Sequence, residues 1–236
     1  MRHLLKLLFP AFANQNRLKK DEISCFDISL QYYTIKDVDV FLNNFYFIWF
    51  NTFLALVAIL FGWLMNKANS ILAKIWTGLV WLIFLPNTLY ILTDISHLFE
   101  DWPKINNLFR LILIIQYALF SIAGVLAFII SVYFFQRMIE KKSVGWKKKK
   151  IRLSTIISIS ALNFLVGFGV VLGGIQRTNS WHIFTDPTKV ANDILNVTSS
   201  KEMLILSVGI GLLANIIYFT FLETALTWVP KAFLRK

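Results

Sequence analysis

Cysteine is all but missing from this chain: Cys25 is the one thiol in 236 residues, which excludes an intrachain disulfide and any thiolate metal cage. Charge is scarce as well. Asp, Glu, Lys and Arg make up 16% of the residues against 57% hydrophobic, too little to cover a water-facing surface. The sequence has no Walker loop, no GxSxG, no HExxH and no CxxC. The words that mark phosphate-cradling loops, serine hydrolases, zinc proteases and dithiol redox sites are therefore lacking. With only three histidines, the side chains able to hold a metal reduce to imidazoles and carboxylates.

What is abundant is apolar sequence in blocks. The mean hydropathy is +0.63, and the blocks run to about twenty residues, the length a helix needs to cross roughly 30 Å of hydrocarbon. Lipid cannot satisfy exposed backbone groups, so such blocks are helical. The sequence predicts five spans, at 43–65, 71–92, 108–135, 153–175 and 203–229. The expected fold is an all-α membrane protein, a bundle of about five transmembrane helices (43–236) behind a short N-terminal surface segment (1–42). The opening MRHLLKLLFPAFA has a basic start and an A-x-A ending, but Lys6 and Pro10 interrupt a core too short for a signal peptide, and an uncleaved interfacial segment is expected. Residues 14–40 are expected to form a small surface element.

The net charge is +11, and its placement decides its meaning. Eight of the 24 basic residues lie between Arg137 and Arg152, beside Trp146. Next to two spans, such a cluster reads as a cytoplasmic loop facing anionic headgroups, not as a nucleic-acid site. With that loop inside, thirteen basic residues fall on the inner side and five in the short outer loops. The N-terminus is then outside and the C-terminus cytoplasmic. Six further basic residues in the N-terminal tail run against this count, but only Lys36 is close to a span.

Both polar loops worth attention then fall outside: TDISHLFEDWPKINN from Thr93 and GGIQRTNSWHIFTDPTKV from Gly173. In this region the chain resembles the bacterial domain-of-unknown-function 1361 family of multi-pass membrane proteins. The resemblance rests on FNTFLAL at 50–56, WLIFLPNTLYILTDISHL at 81–98 and LGGIQRTNSWHIFTDP at 172–187. It covers most of the chain after residue 43, and the pattern FLPN-x-x-Y-x-x-TD-x-x-H is specific. The family's late motif reads closer to LGRF-x-RWNSWD; this chain has Gly174, Thr178 and His182 where that pattern has Arg, Trp and Asp. Roles that need those residues are not carried over. The resemblance implies a fold and a membrane location, and no activity.

Pro86 has no amide donor, so the second span is expected to kink there, with Asn87 and Thr88 bonding the freed carbonyls. If the helix resumes, Asn87, Tyr90, Asp94, His97 and Asp101 share one face. A carboxylate three residues before an imidazole can set its tautomer or share a metal with it; the plain alternative is a solvated helix end. The second loop offers Arg177, Asn179, Ser180, Trp181, His182 and Asp186 as a cation, amide, hydroxyl, ring and a further imidazole and carboxylate, or simply as a solvated connection. Asp94, His97 and His182 are the candidates for a divalent metal, although no cofactor is required by the sequence. Within the last span, Glu223 is expected either to face protein, water or a partner, for proton coupling or a contact with Lys74, or to reach the inner interface. Asn51, Gln116, Asn163 and Asn215 read as interhelical hydrogen-bond partners.

Two functions fit. One is binding or passage of a small polar solute or lipid headgroup at the outer face, alone, as a homo-oligomer, or beside another membrane protein. The other is a membrane-embedded enzyme using a metal or acid–base cluster on an extracytoplasmic or lipid-linked substrate.

Overall fold

The computed structural model describes residues 25–140 and 153–228. The interfacial reading of residues 1–24 and most of the basic 137–152 loop lie outside the described residues. Every regular element among those described is helical. In order they are α1 (Cys25–Lys67), α2 (Ile71–Phe84), α3 (Pro86–Thr93), α4 (Ile95–Asp101), a 3-10 turn (Trp102–Lys104), α5 (Asn107–Ile139), α6 (Leu153–Gly174), α7 (His182–Thr185), α8 (Pro187–Ser199) and α9 (Lys201–Trp228).

Five stretches are long and apolar enough to cross a membrane: Val38–Lys67, Ile71–Asp101, Asn107–Ile139, Leu153–Gly174 and Lys201–Thr224. They coincide with the five expected spans. The outer faces carry large exposed apolar side chains such as Phe53, Leu56, Ile115, Leu119, Ile205 and Leu212, as a surface in contact with lipid requires. Helix α1 begins at Cys25 and runs without interruption into the first span, so no break in secondary structure separates residues 25–42 from it.

Short polar residues set the helix starts. Ser70 Oγ accepts from the Ala73 amide at 3.1 Å and opens α2. Asn106 Oδ1 accepts from the Leu108 and Phe109 amides, both at 3.1 Å, and opens α5. Each satisfies donors that the first helical turn leaves without a partner.

The second span is divided twice, at Leu85 and at Asp94. At the first division Pro86 supplies no amide, and side chains take up the carbonyls ahead of it. Asn87 Nδ2 donates to Phe84 O at 3.1 Å, and Thr88 Oγ donates to Leu85 O at 2.7 Å.

Helix α5 is central, packing on α1, α3 and α9, while α6 packs on α3 and most extensively on α9. Small residues make these approaches possible. A methyl on Gly167 of α6 would lie 2.4 Å from Ser207 O and 2.6 Å from Gly211 N of α9. One on Gly124 of α5 would lie 2.7 Å from Thr88 O. The core between them holds Trp81, Phe128, Ile159, Val166 and Tyr218. Several polar atoms here are paired across helices, while Tyr117 Oη, Ser121 Oγ and Asn163 Oδ1 are buried without a hydrogen-bond partner among the described residues. Trp81 Nε1 donates to Ser131 Oγ at 2.7 Å, Ser131 donates to Ala58 O at 3.1 Å, and Tyr218 donates to Gln136 Oε1 at 2.5 Å. Asn163 donates to Asn215 Oδ1 at 3.1 Å. Gln116 differs from expectation, since its Oε1 is buried without a hydrogen-bond partner.

Candidate functional site

Five spans in succession put the 93–107 connection and the 174–201 connection at the same end of the bundle. The second docks on the proline break of the first. Ser180 Oγ accepts from Asn87 Nδ2 at 2.8 Å and donates to Ile83 O at 3.1 Å, so one hydroxyl from the late loop occupies a carbonyl at the break. Trp181 adds an edge-on contact to Phe50 of α1, ring centroids 5.7 Å apart.

A second clamp holds the rest of this loop. Asp193 of α8 is buried and accepts from Thr178 Oγ at 2.5 Å and from the Lys189 ammonium. Lys189 also donates to Gln176 O at 3.3 Å. The Lys189 ammonium and then the Thr178 hydroxyl hold the Asp193 carboxyl below the usual carboxylate range. Between the two clamps Arg177 has φ of 53°, a left-handed conformation that a non-glycine residue keeps only where its surroundings impose it.

Beneath this loop a cleft of about 640 Å³ opens between α3, α4, α6 and α9, within the range of about 300–1,000 Å³ typical of small-ligand sites. Its polar wall is Tyr90, Thr93, Asp94, His97, Glu100 and Arg177, with Asn179 at the rim. Asp94 is its deepest charge, at 1% exposure. Asn51 Nδ2 of α1 donates to Asp94 Oδ2 at 2.8 Å, and Oδ1 has no hydrogen-bond partner. Of the buried side-chain atoms left unpaired among the described residues, this is the one on a residue that lines the cleft. His97 Nδ1 lies 3.2 Å from Glu100 Oε2, while Arg177 makes no hydrogen bond or ion pair through its guanidinium with another described residue.

A family model described as "Protein of unknown function (DUF1361)" matches residues 50–217, from within α1 to within α9. The chain belongs to this family. No curated protein and no solved structure matches it. The DUF1361 match spans both loops and all the cleft residues.

The structure brings together Tyr90, Asp94, His97, Arg177 and Asn179 on the cleft, with Asn87 and Ser180 joined beside it. Five other candidates lie elsewhere. Asp101 accepts from Asn44 Nδ2 of α1 at 3.0 Å, seven residues along each helix from the Asn51–Asp94 bond, so it faces α1 as Asp94 does but lies beyond the cleft. Asp186 caps α8 by accepting the Lys189 amide at 3.0 Å. His182 Nδ1 accepts the Asn179 amide at 3.1 Å within its own turn, and Trp181 lies against Phe50. Glu223 is exposed near the end of α9.

The metal set of Asp94, His97 and His182 does not assemble. Among the described residues no three His, Cys, Asp or Glu side chains group as a metal site, and His182 has committed Nδ1 to the backbone. Three polar cleft residues had no place in the sequence reading: Glu100, three residues after His97, Thr93 and Ser96. The sequence signal for Glu100 was its (i, i+3) spacing from the imidazole.

Proposed function

We propose that this DUF1361 protein binds, at the extracytoplasmic face of a bacterial plasma membrane, a polar ligand or headgroup that carries both a cationic and an anionic group. The reading rests on one observation: the cleft wall holds two groups of opposite demand, the buried Asp94 Oδ1, which has no hydrogen-bond partner among the described residues, and the exposed Arg177 guanidinium. A buried acceptor without a partner costs about 1–3 kcal/mol, more when charged, so a donor that reaches Asp94 recovers part of that cost. Arg177 matches a phosphate or carboxylate through its planar fork of donors. Phosphoethanolamine is the simplest common group that presents both. The extracytoplasmic assignment is supported by the charge asymmetry, thirteen basic residues on the side of the 137–152 loop against five in the short connections opposite.

The test is calorimetric titration of the full-length chain, in phospholipid-free detergent, with glycerophosphoethanolamine. Saturable binding is expected, weakened tenfold or more in Asp94→Asn and in Arg177→Gly, the latter keeping the left-handed backbone while removing the cation. No binding by the wild type, or variants within twofold of it, overturns the reading.

A further inference from the structure

The polar cleft has an apolar neighbour. A groove of about 400 Å³ runs between the proline break and α6, walled by Leu82, Pro86, Leu165, Phe168, Leu172 and Ile183. Its position is fixed by close packing at its base, where a methyl on Gly169 would lie 2.5 Å from the Pro86 ring. Three residues, Tyr90, Gly173 and Asn179, line both the groove and the cleft. The two spaces therefore adjoin, one carrying charge and the other hydrocarbon.

Leu165, within the fourth span, is 50% exposed, so the groove is open toward lipid there; Ile183, 41% exposed, walls it from the connection outside the spans. A free polar solute has no use for such a wall. A headgroup attached to a hydrocarbon chain does, because the chain stays in an apolar medium while the headgroup moves in to Asp94 and Arg177.

From this adjacency, with the groove and the cleft meeting at Tyr90, Gly173 and Asn179, we infer that the ligand is a membrane lipid, taken up sideways from the bilayer, with one chain in the groove between α3 and α6 and its zwitterionic headgroup in the cleft. Tyr90 stands at the junction, lining both spaces with its ring beside Gly173 and Gly174 of α6. Docking of Ser180 on the proline break holds the upper rim of the groove to the loop that carries Arg177. The inference rests on the headgroup-binding reading and adds the source of the ligand and its route.

The test compares two probes on the full-length chain. One is phosphatidylethanolamine, read by native mass spectrometry; the other is glycerophosphoethanolamine, the headgroup without chains, read by calorimetry. Leu165→Trp and Ile183→Trp fill the groove. The expected result is at least a tenfold loss of retained lipid, with headgroup binding within twofold of wild type. Lipid retention unchanged by both substitutions, with headgroup binding intact, overturns the chain site and leaves the cleft standing. Failure of both probes on the wild type overturns the two together. A second measurement needs no substitution: phosphatidylethanolamine with a diazirine midway along one chain should label residues 82–90 and 165–173. Labelling spread evenly over the lipid-facing helices overturns the inference.

Discussion

Asn51 of the first span donates its side-chain amide to Asp94 Oδ2 of the second at 2.8 Å, and among the described residues this is the one side-chain hydrogen bond to the buried carboxylate at the base of the cleft. Asn51→Leu leaves Asp94 buried with neither oxygen hydrogen-bonded. We expect a loss of about 1–3 kcal/mol or more, seen as a lower thermal midpoint in detergent. Asn51→Leu combined with Asp94→Leu should recover part of that loss, because removing both polar partners costs less than stranding one. A double variant no more stable than Asn51→Leu alone would contradict the assignment.

Ser180 is expected to hold the late loop on the proline break. Ser180→Ala removes the acceptor for Asn87 and the donor to Ile83 O, with a cost of about 1 kcal/mol per lost bond. Hydrogen exchange should accelerate in residues 176–186 and stay unchanged in α5. Uniform acceleration across the chain would mean general destabilisation instead.

The helix crossings provide a graded test of packing. Gly167→Val puts side-chain atoms where Ser207 O and Gly211 already stand, and Gly124→Val does the same against Thr88 O. Both should abolish recovery of folded, monodisperse protein. Gly209→Ala meets nothing within 4 Å and should leave the thermal midpoint unchanged or slightly raised. Equal tolerance of all three would overturn the close α6–α9 and α3–α5 approaches.

Asp193 gives a pH dependence with a defined sign. Its carboxyl is held below its ordinary value, chiefly by the Lys189 ammonium and then by Thr178. The stability it contributes is therefore fully present above the ordinary carboxylate pKa, and it is lost as pH falls through the lowered folded value. The difference in thermal midpoint between wild type and Asp193→Asn should be constant from neutral pH down to the ordinary carboxylate range and then shrink. A difference that grows on acidification would contradict the clamp.

The spans were legible because each is a block of apolar residues bounded by polar ones, a signal that survives whatever the helices pack against. Pro86 announced the break in the second span, and Asn87 and Thr88 bond carbonyls there as their chemistry suggests. The partners of the acidic residues were less legible. Asp101 pairs with Asn44 across 57 residues; helical periodicity puts it on the face of Asp94, but which helix that face meets is not written in the segment, and both acids meet asparagines of α1. Asp186 could have been read correctly, since Asp followed by Pro at the head of a helix is a start signal. His182 binds a backbone amide three residues back, which an imidazole in a metal set could not do through the same nitrogen. The apolar groove had no sequence signature, because it is made by the space between α3 and α6 and not by any one segment.

Two-point recognition of the ligand is tested most directly by removing one half of it at a time. The affinities of the full-length chain for glycerophosphoethanolamine, for glycerol 3-phosphate, which lacks the amine, and for ethanolamine, which lacks the phosphate, should be measured by calorimetry in wild type, Asp94→Asn and Arg177→Gly. The wild type should prefer the complete headgroup to either fragment by tenfold or more, about 1.4 kcal/mol. Asp94→Asn should erase the preference over glycerol 3-phosphate, and Arg177→Gly the preference over ethanolamine. Wild-type preferences retained in both variants would contradict the assignment of Asp94 and Arg177 to the two ends of the ligand.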